Sequence, residues 1–189
     1  LAGGQSLLVA LNLRLSAPSL LIDIGRIDAL RGIELRDGTV RIGALTRHAE
    51  VLSSDIIARH VPLLSLAAPF VAHPAIRNKG TFGGSLALAD PASEFPAVAL
   101  ALGARMEIAD AETTRLVAAD DYFLDLYETA LAPGEVLTAV HVPAARPTQA
   151  FAFDELARRR GDYAMIGIAI AADGQQGRVD DIHIAFCAA

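Results

Sequence analysis

A chain of 189 residues is long enough for one large domain or two small ones, with a real core in either case. Its apolar share is 53% with only 5% aromatics, so that core must be built from Ala, Leu, Ile and Val. The net charge of −6, with no basic stretch interleaved with aromatics, argues against a nucleic-acid surface.

Leu1 already lies inside a glycine motif, so the chain reads as a fragment lacking the element that leads into Ala2-Gly3-Gly4-Gln5-Ser6. Leu7, Leu8, Leu11 and Leu15 then recur at helical spacing, with Ser6 placed as N-cap. Residues 20–24 read as a strand, and residues 33–35 and 39–42 form a hairpin around Asp37-Gly38. Thr46 is expected to cap a short helix carrying Glu50. A second helical stretch follows Ser53-Ser54 and is interrupted by Pro62. Residues 73–85 hold Pro74, Gly80 and a second double glycine, Thr81-Phe82-Gly83-Gly84-Ser85, and read as an ordered loop. Ser93 can cap a helix running to about Leu102, with Pro96 in its first turn.

Residues 104–108 and 114–117 make a second hairpin, and residues 120–126 one or two helical turns. Residues 135–142 alternate as a strand. Past Gln149 the pattern changes to three strands over residues 151–156, 165–172 and 179–186, with a turn marked by Asp173-Gly174 and Gly177. That shift, with Pro143 and Pro147, places a boundary near residue 147. Mixed helices and hairpins followed by a small all-β piece define an α+β chain: a first unit over 1–147 and the start of an antiparallel-sheet unit over 148–189.

The single cysteine, Cys187, cannot form an internal disulfide, and no Cys/His cluster has metal-ligand spacing. The apolar stretches at 63–72 and 97–104 are too short to span a bilayer, and no secretory leader opens the chain, so cytoplasmic residence is the default expectation. The two glycine loops carry the chemistry. Each sets two residues without Cβ beside a hydroxyl, which lets backbone N–H groups approach a bulky anion. Two loops of one grammar, far apart in sequence, point to a single ligand held from both sides, with a dinucleotide pyrophosphate as the natural candidate. Neither fits G-x-G-x-x-G or the phosphate loop ending in Gly-Lys-Ser/Thr.

Five ordered blocks add specificity. They are Ala2-Gly3-Gly4-Gln5-Ser6-Leu7; the run from His73-Pro74-Ala75 to Gly83-Gly84-Ser85; Asp90-Pro91-Ala92-Ser93-Glu94-Phe95-Pro96; Tyr127-Glu128-Thr129-Ala130-Leu131 with Pro133-Gly134-Glu135-Val136-Leu137; and Arg159-Arg160-Gly161-Asp162-Tyr163-Ala164. In order and spacing the chain resembles the medium, FAD-binding subunit of molybdenum hydroxylases. These include carbon monoxide, xanthine, aldehyde and N-heterocycle dehydrogenases.

The resemblance implies a two-part FAD-binding domain of the molybdopterin dehydrogenase type. It implies that Ala2, Gly3, Gly4, Gln5, Ser6 and Leu7, with Thr81, Phe82, Gly83, Gly84 and Ser85, cradle the FAD pyrophosphate mostly through backbone N–H groups. Glu94 would contact the adenosine part, Leu137 would lie against the adenine, and Tyr163 would stand near the flavin ring. No catalytic acid–base residue and no metal ligand is expected. Molybdopterin and the iron–sulfur clusters would lie in a large and a small partner subunit, assembled as a dimer of heterotrimers. FAD would pass electrons to an external acceptor that the sequence does not name. A self-contained FAD oxidoreductase and a structural subunit with an empty cofactor site stay open as alternatives. Two departures stand out: Asp154-Glu155 where some relatives carry a lysine, and Phe82 where an aliphatic residue is usual.

Other residues have plainer readings. For Glu94, stabilisation of a helix N-terminus stands level with ribose binding. His48 and His73 read as structural or exposed, and Arg158-Arg159-Arg160 as a strand end ion-paired to Asp154, Glu155 and Asp162. Cys187 reads as a core residue and Asp120-Asp121 as helix capping.

Overall fold

Loop 2–6 leads into α1 (Leu7–Asn12), the first element of a computed structural model that describes residues 1–189. Residues 20–24 form no strand. Leu1 accepts from the Ile24 N–H at 3.0 Å and donates its amino group to the Ile22 carbonyl, and the Ile24 carbonyl closes a local turn with the Ile27 N–H at 3.1 Å, so no ladder develops. The Asp37-Gly38 turn follows from its residue types. Both adopt positive φ, 47° and 72°, and close the hairpin of β1 (Ile33–Arg36) and β2 (Thr39–Gly43).

A helical run follows: α2 (His48–Ser53), α3 (Asp55–His60), α4 (Pro62–Ala67), α5 (Pro74–Arg77), α6 (Phe82–Leu88) and α7 (Glu94–Ala101). Ser54 caps α3 by accepting from the Ile57 N–H, and Pro62 opens α4, where its missing N–H costs nothing. Thr46 is not the cap of α2. It is buried, and its hydroxyl donates to the Gly32 carbonyl at 3.1 Å, while Glu50 accepts from the Arg47 N–H at 2.7 Å. The segment 73–85 is not a loop throughout: two short helices form, and Gly83-Gly84 fall in the first turn of α6 behind the N-cap Thr81.

The chain continues through β3 (Arg105–Ala109), β4 (Thr114–Ala118), α8 (Ala119–Tyr122), β5 (Phe123–Asp125), β6 (Glu128–Thr129) and β7 (Val136–Pro143). Residues 120–126 are thus one helical turn followed by a short strand. β7 completes a five-stranded antiparallel sheet in the order β1-β2-β7-β3-β4. Val40, Ile42, Met106, Ile108, Val140 and Val142 from its three central strands enter the core beneath the helices. The alternate positions face outward. There Glu107 pairs with Arg41 (2.8 Å) and His141 (2.7 Å) and accepts from the Thr138 hydroxyl (2.8 Å), which holds its carboxyl down at about 2.

The last three strands, β8 (Gln149–Ala157), β9 (Ala164–Gln175) and β10 (Arg178–Cys187), form a separate antiparallel sheet in the order β10-β9-β8. The turn between β9 and β10 lies at Gln176-Gly177 (φ 53° and 80°), and Asp173-Gly174 is still strand. α7 and α4 pack against this sheet, and Ala169, Ala171 and Cys187 join the same core cluster as the first sheet. Cys187 is therefore a core residue, as its apolar setting implied. Arg158, Arg159 and Arg160 form no ion pairs; they are exposed after β8.

Candidate functional site: a cleft between two glycine segments

The two glycine segments meet backbone to backbone. A Cβ on Gly3 would stand 2.4 Å from the Lys79 carbonyl oxygen and 2.8 Å from Gly80 Cα, so only glycine fits. The contact bounds a cleft of about 510 Å3, within the range of small-molecule and cofactor sites. Leu1 to Leu7 line one wall. Thr81, Gly84, Ser85, Asp90 and Glu94 line another, and the loop of Gly161, Asp162 and Tyr163 a third. That third loop is seated by another missing side chain: a Cβ on Gly161 would meet the His73 ring at 2.6 Å.

The segments do different work. The backbone N–H groups of Gly3, Gly4, Gln5, Ser6 and Leu7 donate to no acceptor in the protein. Gly4 has φ 73° and Ser6 lies in the right-handed region, the two kinds of conformation from which anion-binding backbone nests are built. In the second segment four of the five N–H donors are taken, and only that of Thr81 has no acceptor in the protein. Phe82 donates to Thr46 O (2.8 Å), Gly83 to Ala44 O (2.9 Å), Gly84 to Thr81 Oγ1 (3.2 Å) and Ser85 to Thr81 O (3.1 Å). Its glycines provide space instead. A Cβ on Gly83 would stand 2.4 Å from Ala44 Cβ, and one on Gly84 2.6 Å from the Thr81 hydroxyl.

Three residues assigned to the cofactor do not line the cleft. Phe82 and Gly83 turn into the core, where the Phe82 ring meets Phe95 with centroids 5.1 Å apart. Leu137 is buried in β7 opposite Ile108, on the core face of the five-stranded sheet. The other eleven, Ala2, Gly3, Gly4, Gln5, Ser6, Leu7, Thr81, Gly84, Ser85, Glu94 and Tyr163, all border it.

No lysine or arginine lines the cleft. Arg77 is nearby but acts as a clamp, donating to Val71 O (2.9 Å) and Ala72 O (2.7 Å) and holding Ala72 at φ 46°. An anion here must be met by peptide dipoles. His48 is buried beneath the second segment with Nε2 at 2.9 Å from Thr81 O. That carbonyl can only accept, so Nε2 carries the proton. Burial, and then Arg77, lower the His48 pKa while the Thr81 bond opposes them, and Nδ1 is left without a partner. His48 was legible as structural; its place in the cleft wall was not.

Acids occupy the far end. Asp90 accepts from the Ala92 N–H at 3.0 Å and is buried. Glu94 begins α7 with 8% of its surface exposed; burial, then Glu155 and Asp90, push its carboxyl up to about 7. A carboxyl raised in the folded state holds its proton there more tightly than in the unfolded chain. Stability therefore falls as pH rises from about 4.5 to about 7, by on the order of 3 kcal/mol. Glu94→Gln should remove most of that slope, leaving the variant more stable than wild type at about pH 8 and similar at about pH 4.5. Urea unfolding at the two pH values checks this, and an unchanged slope would contradict it.

A glycine nest of unpartnered amides, a cation-free cleft and hydroxyls on the facing wall define a binding domain for an extended phosphate-bearing cofactor. The chain belongs to the family described as FAD binding domain in molybdopterin dehydrogenase, which matches residues 1–145. It is 45% identical over 179 residues to 6-hydroxypseudooxynicotine dehydrogenase complex subunit alpha of Paenarthrobacter nicotinovorans, covering 94% of this chain and 60% of that protein. It is 40% identical over 185 residues to the carbon monoxide dehydrogenase medium chain of Hydrogenophaga pseudoflava, covering 98% and 64%. A solved structure of carbon monoxide dehydrogenase from the same organism, lacking the Mo-pyranopterin moiety, superposes with a TM-score of 0.96 at 41% identity over 99% of this chain and 65% of that one. The chain thus spans about three fifths of the length of the curated relatives it matches. No helix is long and apolar enough to cross a membrane.

Proposed function

We infer that this chain is the FAD-binding electron-transfer part of a molybdenum-containing dehydrogenase, relaying electrons from iron–sulfur clusters in a partner to an external acceptor. The row of unpartnered N–H groups from Gly3 to Leu7, in a cleft with no cation, carries the reading. These amides hold the diphosphate. Thr81, Gly84 and Ser85 shape the facing wall, Glu94 meets the adenosine ribose, and Tyr163 stands at the flavin end. When bound, FAD supplies the redox chemistry, and the residues position it and exclude water.

A large molybdopterin subunit and a small iron–sulfur subunit, in a dimer of heterotrimers within the cytoplasm, complete the proposal. The names of relatives as a medium chain and as a subunit of a complex support the multi-subunit part. The cofactor-binding unit is taken as residues 1–147, with 148–189 as a second, small sheet unit; the family match over 1–145 and the separate sheet of β8 to β10 support the division. Reconstitution with FAD followed by desalting should leave about one flavin per chain, read from its absorbance. A folded protein that retains no flavin would overturn the reading.

A further inference from the structure

The sequence left Asp154-Glu155 as an unexplained departure, and the C-terminal sheet gives Glu155 a role. Glu155, Gly167 and Cys187 stand opposite one another across β8, β9 and β10. Gly167 leaves a gap in that row: a Cβ there would meet Cys187 Sγ at 2.5 Å and lie 3.7 Å from Glu155 Cγ. α7 packs on β9 and β10, and its first residue, Glu94, meets Glu155 carboxyl to carboxyl at this point. Neither acid has an ion-pair partner, and Glu155 Oε2 is buried without a donor.

We propose that Glu155 is a positioning residue for the cofactor cleft, holding Glu94 through one shared proton in the orientation that faces the ribose hydroxyls. This rests on the reading of Glu94 as a cofactor-facing residue. Two touching carboxyls cannot both ionise without repulsion, so one keeps a proton and bridges them. The remaining ionisable groups around the pair are Asp90 before α7, Tyr163 in the loop after β8, and the Cys187 thiol, all acids. α4 and α6 carry no ionisable side chain, Asp120 and Asp121 of α8 are exposed, and burial pushes the Tyr122 phenol of that helix up to about 12. His48, edge-on to Phe95 at 5.2 Å, is uncharged when its lowered pKa is exceeded. As pH rises the bridging proton is lost, the two carboxylates repel, and a charged Glu94 shares the cleft with the diphosphate. Binding must weaken.

The test is an FAD titration by flavin fluorescence between about pH 5.5 and pH 8.5, on wild type, Glu155→Gln and Glu155→Ala, with circular dichroism confirming that each is folded. Wild-type affinity should fall about tenfold across a midpoint near pH 7. Glu155→Gln can donate to an ionised Glu94, and Glu155→Ala removes the repelling charge, so in both the midpoint should move down by about one pH unit or more. Variants that bind more weakly at every pH but keep the wild-type midpoint would reduce Glu155 to a structural residue and overturn the proposal, leaving the FAD reading intact. No FAD binding by wild type at any pH would overturn the cofactor reading and the proposal with it.

Discussion

Gly3→Val should cost the cleft its cofactor while the fold survives. The atoms that a Cβ would strike, Lys79 O at 2.4 Å and Gly80 Cα at 2.8 Å, belong to backbone, so no side chain can swing aside. The first segment has to retreat by about 1 Å, and it carries the five unpartnered amides proposed to meet the diphosphate. Losing that register should weaken FAD binding by roughly 100-fold, about 2.7 kcal/mol. Gly3 lies outside the core cluster, so the melting temperature without cofactor should change little. Fluorescence titration beside a thermal melt measures both, and an unchanged affinity would contradict the assignment.

Gly83→Val should do the reverse. Gly83 sits in the first turn of α6 with its N–H bonded to Ala44 O, and a Cβ would stand 2.4 Å from Ala44 Cβ and 2.7 Å from Ala44 Cα. A branched side chain would prise α6 from β2 inside the core, at a cost of about 3 kcal/mol or more. In a chain of this size that lowers the melting temperature by roughly 10 °C. Cofactor loss, where it occurs, should follow the loss of fold. A Gly83→Val protein of normal melting temperature that no longer binds FAD would show that the second segment holds the phosphates directly.

The contrast between these glycines marks what the sequence could and could not say. Both pairs were visible as close-approach positions, because glycine beside a hydroxyl is a local signal. Which neighbour each approaches is a tertiary fact: Gly3 meets a peptide 76 residues away, and Gly83 meets Ala44, the residue after β2. The longer strands and most helices were legible from alternation, from Asp37-Gly38 and from Pro62, whereas the short β5 and β6 were not. Residues 20–24 misled because an apolar run without a pairing partner does not become a strand. The place of Leu137 in a motif says nothing about which face of β7 it occupies, and the register with Ile108 turns it to the core. Glu155 looked like a lost cation, and the partnership with Glu94 proposed for it arises only from the docking of the small sheet on α7.

In the proposed binding mode the first glycine segment holds the cofactor through its peptide N–H groups, while Gly83 and Gly84 of the second only shape the wall. Amide 1H–15N spectra recorded with and without FAD test it residue by residue. Large downfield shifts should appear at Gly3, Gly4, Gln5, Ser6 and Leu7, with Gly83 and Gly84 nearly unmoved because their N–H groups stay bonded to Ala44 and Thr81. Shifts concentrated at Gly83 and Gly84, with residues 3–7 silent, would contradict the account.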